Sequence, residues 1–349
     1  MDKKKRKMIL IILGVAIVLL LGVALYIVFN NNDKEVDNDK DKPNNEQKEE
    51  VKKISIIDLE SDSRPYAVMV NNLAVARPYH SGLQDAYLVY EIIVEGGITR
   101  LMAVFKDVDT TRIGSVRSAR HYYLDYALEN DAIYVHYGWS PQAQSDVSSL
   151  DVDNINGLYD SAFWRDTTLD VAYEHTAFTS VANIKKIASK KKYSLTSNKD
   201  TLLNYSVDEV NLSDEENSKV ANSVNIKYSN YITTTYVYNE DEKVYYRSTN
   251  GNAHKDYITG KQYTTKNIIV ALMSNDGISN DNKGRQELNN IGKGEGYYIT
   301  LGYSIPITWE KSSRKAQTVY KTISGEEINV NDGNTYIQIA PLKSTTISE

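Results

Sequence analysis

The chain has 349 residues and a formal net charge of −6, from 40 basic and 46 acidic side chains. This acidic balance argues against nonspecific nucleic-acid binding, because such binding requires Lys and Arg to neutralise phosphates. The sequence has no cysteine, which excludes disulfide bonds, thiolate metal ligands, a cysteine nucleophile and a lipid-bearing cysteine.

The N-terminus carries a membrane signal. Residues 1–7 are strongly basic, and an uncharged apolar run from Met8 to Phe29 follows. A bilayer core takes about 20 apolar residues to span, and this run exceeds the roughly 7–15 residues of a secretory signal. We therefore predict a cytoplasmic segment at 1–7 and a transmembrane signal anchor at 8–29. The basic residues predict a single-pass protein of the cell membrane, with everything after Phe29 on the extracytoplasmic side.

Composition divides the rest of the chain. Residues 30–53 are rich in Asn, Asp, Lys and Glu and have little apolar surface to bury, which predicts a disordered tether. A second polar stretch, at 206–222, predicts a linker between two domains, because the remaining length exceeds what one core usually serves. We place the domains at 54–205 and 223–343, and a tail at 344–349.

The first domain alternates predicted strands and helices. Apolar runs rich in Val, Ile and Tyr predict strands at 66–71, 83–95, 98–105 and 132–137. Apolar residues at helical spacing predict helices at 115–130 and 181–191. Mixed elements of this kind indicate an α/β domain.

The second domain is predicted to be almost entirely β. Short runs rich in Tyr, Ile, Thr and Val predict strands at 233–238, 243–248, 267–273, 297–301, 305–310, 318–322 and 335–340. Turn-forming residues separate several of them. The expected fold class is therefore α+β: a mixed α/β N-terminal domain and a smaller, mainly antiparallel β domain, behind one transmembrane helix.

The segment TRIGSVRSARH is the first candidate site. Gly114 permits a tight turn, Ser115 is placed to cap the predicted helix, and Arg117 and Arg120 would then share one helical face. Backbone N–H groups at a helix N-terminus, together with two guanidinium groups, favour an anion such as a carboxylate or a phosphate. The alternative is that both arginines pair with acidic residues of the chain itself.

The segment EIIVEGGITR is the second candidate site. Glu91 and Glu95 are four residues apart, so in a strand they would lie on one face, with Arg100 nearby. Two carboxylates on one face suit acid–base catalysis of the glycosidase kind. The alternative is that the two glycines form a hairpin turn and the glutamates pair with the arginines of the first candidate.

Aromatic and ionisable residues also mix in three loops. His136 and Trp139 follow a predicted strand, Trp164 and Arg165 belong to the string FWRD, and His175 belongs to EHT. Aromatic rings beside Arg and His suit a sugar or peptide ligand. A metal site built on the two histidines is disfavoured because no closely spaced ligand pair occurs. We predict neither a metal nor a cofactor.

Several strings of the sequence resemble the YerB lipoprotein family of Gram-positive bacteria. In the first half they are RPYAVMVNN, ARPYHSGLQDAYLVYEIIVEGGITRLMAVF, IGSVRSAR, DAIYVHYG and FWRD; in the second they are NGNAHKDYITGKQYTTKNIIV, GKGEGYYIT and GNTYIQIAP. The resemblance implies a bacterial cell-surface protein with two domains of unknown function, divided near 206–222. It implies no catalytic residues. Unlike the lipoprotein members, this chain has a predicted transmembrane helix in place of a lipid-bearing cysteine.

These observations favour a binding protein of the cell envelope over an enzyme. Its ligand would be an anionic cell-wall component, bound by residues drawn from Arg100, Ser115, Arg117, Arg120, His136, Trp139, Trp164, Arg165 and His175. One alternative is a wall-modifying hydrolase or transferase that uses Glu91 or Glu95 as its acid or base. Another is a non-catalytic partner of a membrane protein complex.

Overall fold

A computed structural model of the protein describes residues 53–349. The predicted cytoplasmic segment at 1–7, the transmembrane helix at 8–29 and all but the last residue of the tether at 30–53 therefore lie outside the described residues. Within residues 53–349, no helix is long and apolar enough to cross a membrane.

The described residues form three α-helices and 24 strands. The helices are α1 (His121–Glu129), α2 (Pro141–Ser149) and α3 (Val181–Lys190). The first strands are β1 (Tyr66–Asn71), β2 (Leu88–Ile93), β3 (Thr99–Phe105), β4 (Ile113–Gly114), β5 (Ile133–His136), β6 (Asn154–Asn156), β7 (Phe163–Arg165), β8 (Ala177–Thr179), β9 (Asn204–Ser206), β10 (Lys219–Val220), β11 (Ser223–Lys227) and β12 (Thr233–Asn239).

The remaining strands continue the β-rich second half. They are β13 (Val244–Thr249), β14 (Asn252–Ala253), β15 (Thr264–Thr265), β16 (Asn267–Met273), β17 (Asn275–Gly277), β18 (Gln286–Leu288), β19 (Gly292–Thr300), β20 (Tyr303–Lys311), β21 (Val319–Thr322), β22 (Asn329–Asn331), β23 (Thr335–Pro341) and β24 (Thr345–Ser348).

One large sheet runs through both halves of the chain. Its 11 strands have the order β10-β20-β19-β16-β23-β2-β3-β1-β5-β6, with β21 also paired to β20. The halves meet where β2 pairs in parallel with β23, from Leu88 opposite Thr335 to Ile92 opposite Ile339. Seven strands, β1, β2, β5, β6, β16, β20 and β23, run in one direction, whereas β3 is antiparallel to its neighbours β1 and β2.

Both faces of the large sheet are buried. Alternate residues of β1 belong to different cores: Met69 packs with α1 and α2 on one face, and Val70 packs with α3 on the other. That second face is also covered by a smaller sheet of order β14-β13-β12-β11-β24, with β15 paired to β13. Burial on both faces explains why β1 and β2 are almost continuously apolar in sequence.

The protein is a mixed α/β, sheet-rich structure, and the apolar runs predicted its longer elements well. The strands at 66–71 and 267–273 are confirmed with their predicted bounds, and α3 ends one residue before its predicted limit. α2 was not predicted; it begins where the Ser140 hydroxyl accepts a hydrogen bond from Ala143 N and Pro141 occupies the first turn.

The C-terminal residues differ from the prediction of a tail. Thr345–Ser348 form β24, which pairs antiparallel with β11 from Ser348 opposite Ser223 to Thr345 opposite Ile226. Ile347 packs against the core beneath the smaller sheet. Burial of this apolar side chain helps to hold the otherwise polar strand β24 against the sheet.

Candidate functional site

The carboxyl ends of β1, β2 and β5 bring most of the predicted site residues to one edge of the large sheet. β1 ends at Asn71, β2 ends shortly before Glu95, and Trp139 follows β5. β3 runs the opposite way, so it begins at this edge, where Arg100 is in register with Asn71. Ligands of open α/β sheets commonly bind outside the carboxyl ends of the strands. We define the carboxyl-edge cluster as Glu95, Arg100, Arg117, Arg120, Trp139 and His175.

The arginine-bearing segment is extended, so the prediction of a helix from residue 115 is wrong. α1 begins at His121 with Arg120 as its N-cap, and Arg117 precedes the helix. Tertiary hydrogen bonds hold this segment instead: Arg117 N donates to Met69 O at 3.0 Å, and Tyr137 N donates to Arg117 O at 3.0 Å. The segment thereby fills the gap between the ends of β1 and β5, and this pairing overrides its local helix propensity.

Ser115 does not cap a helix. Its side chain is fully buried, and among the described residues its hydroxyl has no hydrogen-bond partner. The peptide bond between Gly114 and Ser115 is cis. A side chain without solvent exposure offers no contact to a ligand at the carboxyl edge, so the structure does not bring Ser115 into the cluster.

Glu95 is the anionic centre of the carboxyl-edge cluster. Arg120 Nε donates to Glu95 Oε2 at 2.8 Å, Arg120 Nη2 donates to Oε1, and Arg100 Nη2 donates to Oε1 at 2.8 Å. Burial raises the pKa of Glu95, but the Arg120 hydrogen bond and the charges of both arginines outweigh burial and lower the pKa to about 2. For Arg120, the structure therefore supports the alternative in which the chain's own carboxylate pairs with the arginine.

Arg117 is the least neutralised arginine of the cluster. Its Nη2 lies 3.4 Å from Glu174 Oε2, and its Nη1 donates to the Glu174 carbonyl at 3.4 Å. Because the Glu174 side chain is 59% exposed, water screens this pair. Burial, followed by the charges of Arg120 and Arg117, lowers the pKa of Arg100 to about 10. The cluster thus has three guanidinium groups for one partly buried and one exposed carboxylate.

His175 joins this edge through β1. Asn71 Nδ2 donates to His175 Nδ1 at 2.8 Å, and His175 Nε2 lies 3.4 Å from Glu174 Oε1. Because the amide can only donate there, Nδ1 accepts and the neutral ring carries its proton on Nε2. Burial, followed by the charge of Arg117, lowers the pKa of His175, which keeps the ring neutral. His175 is therefore a hydrogen-bonded neighbour of the arginines.

An aromatic group flanks the arginines. The Trp139 ring lies 5.4 Å from the His136 ring and 6.0 Å from the Tyr159 ring, between centroids. His136 is buried, with Nδ1 2.8 Å from Gly138 O and Nε2 3.1 Å from Asn154 Oδ1. Both ring nitrogens of His136 therefore already have hydrogen-bond partners. Trp139 and the exposed Tyr159 are the aromatic rings of this group that a ligand could contact.

Trp164 and Arg165 precede the loop that carries Glu174, and both contact aromatic rings of the protein itself. The Arg165 guanidinium carbon lies 4.3 Å from the Tyr137 ring centroid and 4.4 Å from the Tyr173 ring centroid, a cation–π sandwich. Arg165 Nη1 also donates to Tyr173 O at 2.6 Å. Trp164 stacks obliquely on Phe178 at 6.3 Å. Arg165 thus orders the loop that carries Glu174.

Glu91 does not share a face with Glu95. Its side chain is completely buried and forms an ion pair with Arg247, with Arg247 Nη2 2.8 Å from Glu91 Oε2. Thr99 Oγ1 donates to Glu91 Oε1 at 2.8 Å. A carboxylate with no solvent access cannot meet a substrate, and Glu95 with a pKa of about 2 cannot act as a general acid at neutral pH. These contacts argue against the hydrolase hypothesis.

A buried chain of two hydrogen-bonded histidines, the histidine relay, lies behind Glu91 and was not predicted. Arg247 Nη1 donates to His254 Nδ1, His254 Nε2 lies 2.7 Å from His80 Nδ1, and His80 Nε2 meets Asn71 O. Arginine can only donate and a carbonyl can only accept, so both rings must be neutral, each with its proton on Nε2. No spacing rule relates residue 80 to residue 254, so only tertiary structure reveals this chain.

The described residues hold no obvious metal site. Within residues 53–349, no three His, Asp or Glu side chains are grouped so that they could hold a metal ion. His136 and His175, for which a metal site was considered and disfavoured, have different hydrogen-bond partners.

Comparisons with known proteins agree on one family. The N-terminal domain of the protein family of unknown function DUF3048 matches residues 55–194, and its C-terminal domain matches residues 224–337. "Putative lipoprotein YerB" of Bacillus subtilis (strain 168) is 34% identical over 296 residues, which cover 83% of this chain and 85% of that protein. The crystal structure of YerB protein from Bacillus subtilis matches with a TM-score of 0.71 and 33% identity, covering 82% of this chain and 94% of that one.

Proposed function

For this chain, which belongs to the DUF3048 family, we propose a membrane-associated, extracytoplasmic binding protein whose carboxyl-edge cluster holds an anionic ligand. Two observations support the location: the apolar run from Met8 to Phe29 behind a basic segment, and the description of the Bacillus subtilis relative as a lipoprotein. The proposed anchor of this chain is a transmembrane helix and not a lipid, because the sequence has no cysteine to carry a lipid.

The observation that carries the ligand assignment is the excess of guanidinium groups at the carboxyl edge. Glu95 is shared by Arg100 and Arg120, so it cannot neutralise Arg117 as well. The long contacts of Arg117 to exposed Glu174 are replaceable by a ligand carboxylate or phosphate, which a guanidinium binds through two parallel hydrogen bonds. Trp139 and Tyr159 stand beside this charge and suit the rest of a peptide or sugar ligand.

A cell-wall component with a free carboxylate, such as a peptidoglycan stem peptide, fits this chemistry. The test is co-sedimentation of the full-length chain, solubilised in detergent, with isolated cell-wall sacculi. We expect the wild type to sediment with the sacculi, and Arg117→Gln and the Arg117→Ala/Arg120→Ala double variant to stay in the supernatant. Arg285→Gln is the matched control, because Arg285 pairs locally with Asp281.

A role as a non-catalytic partner in a membrane complex is the second candidate. The observation that favours it is the exposure of Leu158 and Tyr159, which are 54% and 73% exposed beside Trp139. Exposed apolar residues grouped in this way are typical of protein contacts. The wall-ligand proposal is contradicted if the wild type stays in the supernatant, or if Arg117→Gln sediments like the wild type. Either result would favour the role as a partner in a membrane complex.

A further inference from the structure

A polar cavity lies outside the carboxyl-edge cluster and shares no lining residue with it. It has a volume of about 450 Å³ and lies between the turn Arg77–Tyr79 and the hairpin of β13 and β14. Its polar lining consists of Arg77, Thr249, Asn252, His254 and Lys255. A volume of this size is within the usual range of small-molecule sites. We name it the Arg77 pocket.

The Arg77 pocket is cationic and uncompensated. No carboxylate lines it, and neither Arg77 nor Lys255 forms an ion pair with any described carboxylate. Arg77 Nη1 is buried and lacks a hydrogen-bond partner within residues 53–349. Arg77 as a whole is partly exposed and lines the pocket, so its positive charge favours an anionic ligand there.

The inner wall of the pocket brings no carboxylate to the lining. His254 is locked in its neutral form, because Arg247 donates to its Nδ1. Burial, followed by the charge of Arg247, lowers the pKa of Arg77, and the charge of Glu91 opposes this effect. Thr249 Oγ1 accepts a hydrogen bond from Arg247 Nη1 at 3.1 Å, which leaves the Thr249 hydroxyl proton free to donate.

We propose that the Arg77 pocket binds a small anion through a phosphate or carboxylate group, with Arg77 and Lys255 as charged donors and Thr249 as a neutral donor. The pocket shares no residue with the carboxyl-edge cluster, so the outcome here is independent of the proposed function. Its position between segments of the two halves, 74–78 and 249–255, means that a bound anion bridges them.

Isothermal titration calorimetry of the detergent-solubilised full-length chain tests the proposal, with inorganic phosphate in one arm and acetate in the other at constant ionic strength. We expect saturable binding in at least one arm. Binding of phosphate alone identifies a phosphate-bearing ligand, and binding of acetate alone identifies a carboxylate. Arg77→Gln should weaken binding by about tenfold or more, because it removes a charge-assisted hydrogen bond.

Two further variants keep the test decisive. Lys255→Gln alters an exposed side chain, so it reports on the pocket even if Arg77→Gln disturbs folding, and it should weaken binding several-fold. Lys227→Gln, an exposed lysine of β11 that does not line the pocket, should bind like wild type. Absence of saturable binding in both arms, or unchanged binding in both pocket variants, would overturn the proposal.

Discussion

Arg247 Nη2 lies 2.8 Å from Glu91 Oε2, and both side chains are completely shielded from solvent although 156 residues separate them in the chain. Burial lowers the pKa of Arg247, but the charge and hydrogen bond of Glu91, together with Tyr236 and Tyr336, outweigh burial and raise the pKa, so the arginine stays charged. Thr234 Oγ1 lies 3.1 Å from both Glu91 oxygens. The two halves of the chain therefore meet through a buried charge pair as well as through the shared sheet.

Breaking this pair should be costly. Arg247→Met leaves Glu91 charged and buried without a counter-charge, and loss of one partner of a buried ion pair typically costs about 3–5 kcal/mol. We expect a loss of this size in the free energy of unfolding, measured by urea denaturation at pH 7. Adding Glu91→Gln to Arg247→Met should restore part of the loss, because it removes the unpaired charge.

The control for Arg247→Met is an exposed ion pair. Lys293 Nζ lies 3.1 Å from Glu310 Oε1, with the Lys293 side chain 74% exposed. Lys293→Met should change the free energy of unfolding by less than about 1 kcal/mol. Equal losses for Arg247→Met and Lys293→Met would contradict the structural importance of the buried pair.

Acid should destabilise the protein through the histidine relay. Burial, only partly offset by the hydrogen bond to Asn71 O, lowers the pKa of His80 to about 3, and the pKa of His254 also lies well below its ordinary value of 6.5. The unfolded chain therefore binds more protons than the folded one between about pH 6.5 and pH 3. The relay's stabilisation is complete above this window and is lost as pH falls through it.

The magnitude can be measured between pH 7 and pH 5. With folded and unfolded pKa values of about 3 and 6.5, His80 alone accounts for about 2 kcal/mol over this interval. Urea denaturation at both pH values should show a smaller loss for His80→Gln than for wild type. His136, whose pKa burial lowers to about 4, contributes in the same direction in both proteins. An identical loss in the variant would contradict the role of His80.

Glu95 should stabilise the protein in a different, more acidic window. Its pKa of about 2 is below the ordinary value of 4.5, so its contribution is present above about pH 4.5 and is lost as pH falls towards 2. Glu95→Gln should lower the free energy of unfolding at pH 7 by about 3 kcal/mol, and the difference from wild type should shrink at pH 3. Glu174→Gln is the matched control, because its carboxylate is largely exposed and should contribute under about 1 kcal/mol.

Local patterns in the sequence predicted the longer strands and α3, because these elements bury a continuous apolar run or one helical face. They did not predict the extended segment around Arg117, whose hydrogen-bond partners come from β1 and from the chain after β5. They also did not predict that β23 would pair with β2, since register between distant strands is set by tertiary packing.

The candidate site was predicted in composition and only partly in pairing: the alternative in which a glutamate pairs with Arg120 is confirmed for Glu95 and wrong for Glu91. The strings around Glu95, Arg100 and Arg120 indicated a charged cluster, which the structure assembles at the carboxyl edge. Glu91 was grouped with them because sequence proximity suggested a common face. Its actual partner, Arg247, lies in β13, and no local signal identifies it.

A glycine in β19 should be essential for close packing in the large sheet. A Cβ atom added to Gly296 would lie 2.0 Å from Val270 O in β16, a backbone atom of the paired strand that cannot rotate away. Gly296→Ala should therefore push β19 away from β16 and lower the free energy of unfolding by about 2–3 kcal/mol in urea denaturation. Gly277→Ala is the control, since a Cβ there meets nothing within 4 Å and should change stability by less than about 0.5 kcal/mol. Equal stability of the two variants would show that β19 can shift without cost, and that the close approach to Val270 is not required for the fold.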